Sequence, residues 1–423
     1  MGKPTNQEYK RLKSNFISLS FLQAANYILP LLTLPYLIKI LGIENFGLLA
    51  FATAVIAYFG ILTDYGFNLT ATKEISIHRN NPEKITEIFS SVMSIKLILL
   101  LLSFTILSAI VFSIELFSNS WQIYLLTFGS IIGQFLFPVW FFQGIEQMKY
   151  ITLLNLLSKT IFTLAIFILV TKESDIYLVP LLFSIGSIIA GILSLFIIYI
   201  KFNLHFKIQK INTIKYYFLD GWHVFLSRLY VSLYSTSNTI LLGLMTNNVI
   251  VGYYAITEKI VLAIGGISEP VNQTIYPYLA KKYKENFYDF INFLKKMALY
   301  FTIGSFILFL LSEYFVDELV YLIQGNYDAH ISMLLSIFLF RILLFPFGAL
   351  LSNTLIIMEE KRRFIKVMNY TVIADVIMVP FAIYQFQERG LIIAFVLTVL
   401  VHVTSLYYFT NKSIQEQKTY KGK

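Results

Sequence analysis

Nine charged side chains interrupt otherwise apolar stretches of this chain: the cations Lys96, Lys159, Arg228, Lys259 and Arg341, and the acids Asp64, Glu258, Glu269 and Asp375. A charge in hydrocarbon costs a few kcal/mol or more, so such residues face a polar cavity or a partner. The five cations together are suited to receive an anion. Helical rise places Lys96, Lys159 and Arg228 roughly 10–12 Å in from the cytoplasmic ends of their segments. The same rise puts Lys259 roughly 12 Å, and Arg341 roughly 15 Å, in from the outer ends. For Lys96 and Lys159 the plainer role is snorkelling, their long stems reaching back to the membrane surface. Asp375 sits near mid-membrane. It and Glu258 are the candidates for ion coupling, because a buried carboxyl can take up and release a proton. Asp64 and Glu269, near cytoplasmic ends, join the coupling set with structural salt bridging as the alternative. Glu258 and Lys259 are adjacent, point about 100° apart on a helix and do not pair along one face.

Other chemistry is thin. His78, His205, His223, His330 and His402 have no metal-ligand spacing, and His402 reads as a packed or interfacial residue. There is no cysteine, hence no disulfide or thiolate site. No P-loop, Gly-x-Ser-x-Gly or His-Glu-x-x-His motif occurs, so neither an enzyme nor a cofactor is expected. The net charge of +9 does not indicate nucleic acid, because no nucleic-acid-binding signature accompanies it.

The elements that must carry these charges are transmembrane helices. Hydrophobic residues make up 57% of 423 and charged residues only 13%, with a mean hydropathy of +0.70. A crossing helix needs roughly 20 apolar residues. Twelve candidate spans follow, near 16–38, 46–67, 88–112, 121–142, 151–171, 177–200, 221–244, 251–277, 297–320, 330–357, 364–386 and 390–410. The first is too long for a cleaved signal peptide and is expected to be retained. With the N-terminus in the cytoplasm, the Lys and Arg residues outside the spans fall on the inner face, except Lys39, Lys172 and Arg389. That asymmetry sets the orientation and places both termini inside. Basic loops on that face attract anionic lipid.

A half-chain repeat is suggested by Gly47-Leu-Leu-Ala50, Gly60 and Asp64, which match Gly252-Tyr-Tyr-Ala255, Gly265 and Glu269 at an offset of 205. Two six-helix bundles would then be parallel repeats flanking a central cavity. Residues 1–210 form the first lobe, 211–410 the second and 411–423 a cytoplasmic tail. Pro30/Pro35 and Gly265-Gly266…Pro270 mark bends in the first and eighth spans. The segment from Lys281 to Lys296 has Tyr283, Phe287, Phe290, Ile291 and Leu294 at helical spacing. It reads either as a helix lying on the inner membrane surface or as an ordinary amphipathic linker.

Asp64-Tyr-Gly-Phe-Asn-Leu-Thr-Ala-Thr-Lys-Glu-Ile75 resembles a hallmark of bacterial polysaccharide flippases of the Wzx (O-antigen) type, in the MOP superfamily of MATE-like exporters. So do Phe225-Leu-Ser-Arg228 with Ser237-Asn-Thr-Ile-Leu-Leu-Gly243, and Gly252-Tyr-Tyr-Ala-Ile-Thr-Glu-Lys-Ile260. The resemblance implies an all-α integral membrane fold of two six-helix lobes around a central cavity. It implies flipping of undecaprenyl-pyrophosphate-linked oligosaccharide across the bacterial inner membrane, driven by an ion gradient. It also implies membrane lipids, a polysaccharide polymerase and a chain-length regulator as partners. Arg228 and Lys259 match positions for the cationic cavity, whereas Lys96, Lys159 and Arg341 join them on depth alone. The alternatives are a MATE-like multidrug or organic-ion exporter, which would want an acidic or aromatic cavity, and a non-transporting scaffold of polysaccharide assembly.

Overall fold

Backbone amides and carbonyls have no water to bond in hydrocarbon, so an apolar segment at membrane depth satisfies them internally as a helix. The computed structural model describes residues 6–421, and among the described residues there is no strand. The main helices are α1 (Asn6–Asp64), α2 (Phe67–Ile77), α3 (Pro82–Ser113), α4 (Trp121–Leu136), α5 (Met148–Leu169), α6 (Leu178–Phe202), α7 (Ile211–Ser235), α8 (Ser237–Met245), α9 (Asn248–Gly265), α10 (Glu269–Glu285), α11 (Phe287–Tyr314), α12 (Ala329–Ile357) and α13 (Lys361–Lys421). Two are too long to be single spans. Gly42 (φ 77, ψ 167) divides α1 and Gln387 (φ 51, ψ −129) divides α13, so each contributes two arms. Nine helices among the described residues are long and apolar enough to cross a membrane, counting each of these two as one. The chain is a multi-pass membrane protein. Helix α7 falls outside the nine; it carries Lys215, Asp220 and Arg228.

The expected bend after Gly265 is a break. Helix α9 ends there, Gly266–Ser268 forms a 3-10 turn, and α10 restarts at Glu269 with a proline in its first turn. Around Pro30 and Pro35, by contrast, α1 keeps helical φ/ψ, and the hydroxyl of Thr33 donates to the carbonyl of Pro30 at 3.1 Å. The segment from Lys281 to Lys296 is not one surface helix. Asn286 is extended (φ −152, ψ 118), ends α10, and caps α11 by accepting from the amides of Tyr288 and Asp289. The apolar stripe is covered by the protein itself: Phe287, Phe290, Ile291 and Leu294 are core residues, with Tyr283 packed against them. A stripe at helical spacing gives the buried face but not what buries it.

The chain divides into two compact units, Met1–Ser232 and Leu233–Lys423. The division falls near the end of α7 rather than at 210/211, so most of α7 packs with the first unit. That unit's core gathers Tyr65, Phe67, Phe89, Trp140, Phe141 and Phe142. Cores of the second form around Phe287, Phe290 and Leu350, and around Leu355, Val367 and Leu406.

Helices α4 and α6 pack through small residues. A Cβ built on Gly133 would lie 2.5 Å from the backbone carbonyl carbon of Ser187, a distance no real contact tolerates. Ser184 and Ser194 of α6 donate to the carbonyls of Leu126 and Leu136 across the same seam. Close backbone approach with hydroxyl bonding is a common way for helices to associate in lipid, where apolar burial supplies no drive. Gly133→Val should therefore force the pair apart and cost about 1–3 kcal/mol, the usual range for overpacking. A lower melting temperature and a smaller monodisperse peak on detergent gel filtration would register it; a wild-type melt would mean that the seam is not tight.

Candidate functional site

Among the described residues, most of the charges singled out above fall in three polar clusters, one in the first unit and two in the second. The first is built by the join between α1 and α2. Tyr65 (φ 50) and Gly66 (φ 81) both adopt the left-handed conformation, which turns the chain sharply after Asp64. Helix α7 docks on this turn. Tyr65 is stacked between Phe218 (centroids 4.6 Å, 16°) and Phe225 (5.0 Å, 15°). Gly221 lies between them on the same helical face, where an added Cβ would meet the Tyr65 ring at 2.8 Å and its carbonyl oxygen at 3.1 Å. One further turn along this face brings Arg228 to Asp64. Its Nη1 donates to Oδ2 at 3.0 Å. Lys96, from α3, approaches Oδ1 with its Nζ at 3.7 Å. The Lys96 side chain is 4% exposed and that of Asp64 13%, whereas that of Arg228 is 39% exposed.

Asp64 thus serves two cations, and the trio carries a surplus of one positive charge. The half-buried Lys159 adds another, its Nζ donating to the neutral Asn26 amide oxygen. Three of the five cations therefore lie in the first unit against one of the four acids. Arg228 is the member with open surface, and a guanidinium held on one side by a carboxylate still presents donors on the other.

The second cluster surrounds Arg341 of α12. Its guanidinium carbon lies 4.8 Å from the ring centroid of Phe395, 5.8 Å from Phe345 and 6.0 Å from Phe338, all within cation–π range. Its Nε is buried and has no hydrogen-bond partner among the described residues. Tyr254 stacks on Phe338 at 5.8 Å and donates its hydroxyl to Glu258 Oε1 at 3.1 Å. Glu258 is thus engaged one turn back along its own helix. Lys259, as the helical offset requires, lies elsewhere and is exposed on the surface of the unit.

The third cluster is formed by the two arms of α13 with α8 and the end of α7. Asp375 is 1% exposed. Buried Asn238 and Thr398 face it, and its Oδ1 has no hydrogen-bond partner among the described residues. One turn earlier, the Thr371 hydroxyl lies 2.9 Å from the Val367 carbonyl and 2.9 Å from His402 Nδ1, so it hydrogen-bonds on both sides. Tyr234 stacks on the imidazole at 6.4 Å. His402 is packed, as expected. The side chain of Glu269 lies outside the described residues.

Some of this was missed from sequence. Tyr254 was legible as the i−4 neighbour of Glu258, a spacing that brings side chains together on a helix. Thr371 has the same spacing ahead of Asp375, whereas Asn238, on another helix, has no such spacing to it. Nor is the pair His330–Glu388 so spaced; its Nε2 and Oε1 lie 2.7 Å apart, with Arg389 3.4 Å from the other imidazole nitrogen.

A family model described as "Polysaccharide biosynthesis protein" matches residues 12–283. The chain belongs to that family. Its match covers the Asp64–Lys96–Arg228 trio, Lys159, Glu258 and Lys259, and stops before Arg341 and Asp375. A relative from Escherichia coli (strain K12), named "Putative O-antigen transporter", is 34% identical over 269 residues. That alignment covers 64% of this chain, and the chain spans 65% of the length of that relative. Among solved structures, the lipid II flippase MurJ in an inward closed conformation superposes with a TM-score of 0.74 over 94% of this chain and 88% of that one, at 16% identity. An inward-facing multidrug transporter of the MATE family and MOP superfamily superposes at 0.69 over 96% and 99%, at 15% identity. At such identities the likeness is one of fold, and the all-α, MATE-like fold expected from the sequence is the one found.

Proposed function

We propose that this family member is a flippase that turns an undecaprenyl-pyrophosphate-linked oligosaccharide, an O-antigen or related repeat unit, across the bacterial inner membrane by alternating access, coupled to an ion gradient. In this reading it crosses the membrane twelve times with both termini in the cytoplasm. The observation that carries the proposal is the surplus of positive charge around Asp64. A dianionic pyrophosphate needs cations that are pre-positioned yet not fully neutralised, because charge-assisted bonds to such oxygens are about twice as strong as neutral ones. Arg228 meets that requirement, with Lys96 and Lys159 contributing field and Lys259 and Arg341 as further contacts. The family and the name of the Escherichia coli relative agree with it. Asp375, with Glu258, Asp64 and Glu269 as further candidates, would carry the coupling proton. A polymerase and a chain-length regulator are the expected assembly partners.

The test is complementation of a strain that lacks its own flippase and supplies the cognate lipid-linked glycan. Surface polysaccharide should return with the wild-type gene. Asp375→Asn, made at normal abundance, should abolish the dependence of transport on external pH. No polysaccharide from an abundant wild-type protein would overturn the transport assignment, and an unaltered pH profile would remove Asp375 from coupling.

A further inference from the structure

A groove of about 390 Å³ lies between α10 and α11. Its wall on α11 is a single helical face in the order Asp289, Asn292, Phe293, Lys296, Met297, Tyr300. Tyr278 and Lys282 of α10 form the other wall. The rings of Tyr278 and Phe293 meet edge to face at 4.7 Å and floor the groove. The ammonium of Lys282 sits over both, 5.1 Å from the first centroid and 6.0 Å from the second. Lys296 lies over the ring of Tyr300 at 5.7 Å. Neither ammonium forms an ion pair among the described residues, although Lys281 nearby is paired with Glu285 at 3.6 Å.

The sequence of chemistry along α11 is ordered. Asp289 is next to the cap at Asn286, and Lys296 follows two turns later, about 10 Å along the axis. Beyond Tyr300 the exposed large side chains as far as Leu311 are apolar, Ile303, Phe306, Ile307, Leu310 and Leu311, and the small Thr302 turns its hydroxyl back to the Ala298 carbonyl at 2.9 Å. A molecule laid along this face meets a carboxylate, an amide, a pair of ammonium groups on aromatic rings, and then hydrocarbon. A purely anionic ligand has no use for Asp289. A zwitterion with its anion next to its hydrocarbon and its cation outermost uses every group.

We propose that this groove binds the headgroup of a phosphatidylethanolamine. The phosphate lies between Lys282 and Lys296, the primary ammonium donates to Asp289 and Asn292, and the acyl chains follow the apolar face of α11. A quaternary ammonium in place of the primary one would lose those donated hydrogen bonds. The site is separate from the clusters of the proposed transport function and does not depend on them.

Purified protein in nanodiscs of phosphatidylcholine containing 20% phosphatidylethanolamine or 20% phosphatidylglycerol, released and weighed by native mass spectrometry, tests this. Wild type should retain one phosphatidylethanolamine at least fivefold more often than phosphatidylglycerol or phosphatidylcholine. The double variant Lys282→Gln with Lys296→Gln should abolish retention of phosphatidylethanolamine and of phosphatidylglycerol while the melting temperature is kept. Asp289→Asn should retain phosphatidylglycerol as well as phosphatidylethanolamine, because the phosphate contacts remain and the ammonium acceptor does not. Equal retention of all three lipids by wild type, or full retention by the double Lys variant, would overturn the site. A wild-type preference for phosphatidylglycerol would overturn the choice of headgroup and leave a plain anion site.

Discussion

Asp64→Ala should destabilise the first unit by about 3–5 kcal/mol, the cost of leaving a buried charge without its partner. Lys96 decides the size of the effect. Its side chain is 4% exposed, and Asp64 is the carboxylate that meets it. Arg228 has open surface and can turn to it, so it suffers less from the loss. A thermal melt of the purified protein, together with its abundance in the membrane, should register the change. Combining Asp64→Ala with Lys96→Met removes both buried charges and should restore most of the lost stability, since a similar-sized apolar residue in place of a buried ion is often neutral. A single variant that melts like wild type would mean that Lys96 finds another route to solvent.

Arg228→Ala should act in the opposite way, sparing the fold and, under the proposed function, impairing transport. Asp64 keeps Lys96 as its partner, so no buried charge is stranded and abundance should stay near wild type. What is lost is the exposed guanidinium. A hydrogen bond to a charged group contributes about 1.5–3 kcal/mol. If the proposed pyrophosphate contact is the one lost, this would lower the proposed flipping rate about 10–100-fold, at 1.4 kcal/mol per tenfold. Arg228→Lys should recover part of the surface polysaccharide, because it keeps the charge and loses the planar fork. Full polysaccharide from Arg228→Ala would make Arg228 a structural ion-pair partner and nothing more.

Much of this was legible in the sequence. Apolar length located the helices, because a span must be long and apolar whatever it packs against. The Gly265…Pro270 run marked a real break. The segment beginning at Asp64 was recognisable as a motif, and the structure supplies its physical content: two left-handed residues, an aromatic stack and an ion pair. Three things were not legible. Asp64 and Arg228 are 164 positions apart, and nothing local in either segment names the other. The stripe from Tyr283 to Leu294 could not reveal that the unit's own core covers it. The buried surroundings of Asp375 are assembled from both arms of one bent helix and from Asn238, a combination that only the fold creates.

The stack of Tyr65 between Phe218 and Phe225 bears on how such proteins can be recombined. The turn after Asp64 and the face of α7 from Phe218 to Arg228 form one mechanical joint made of two distant stretches of chain. A chimaera of two relatives joined near residue 210 would take the turn from one parent and its seat from the other. Joined beyond Ser232, it would inherit both halves, and the charge trio, from a single parent.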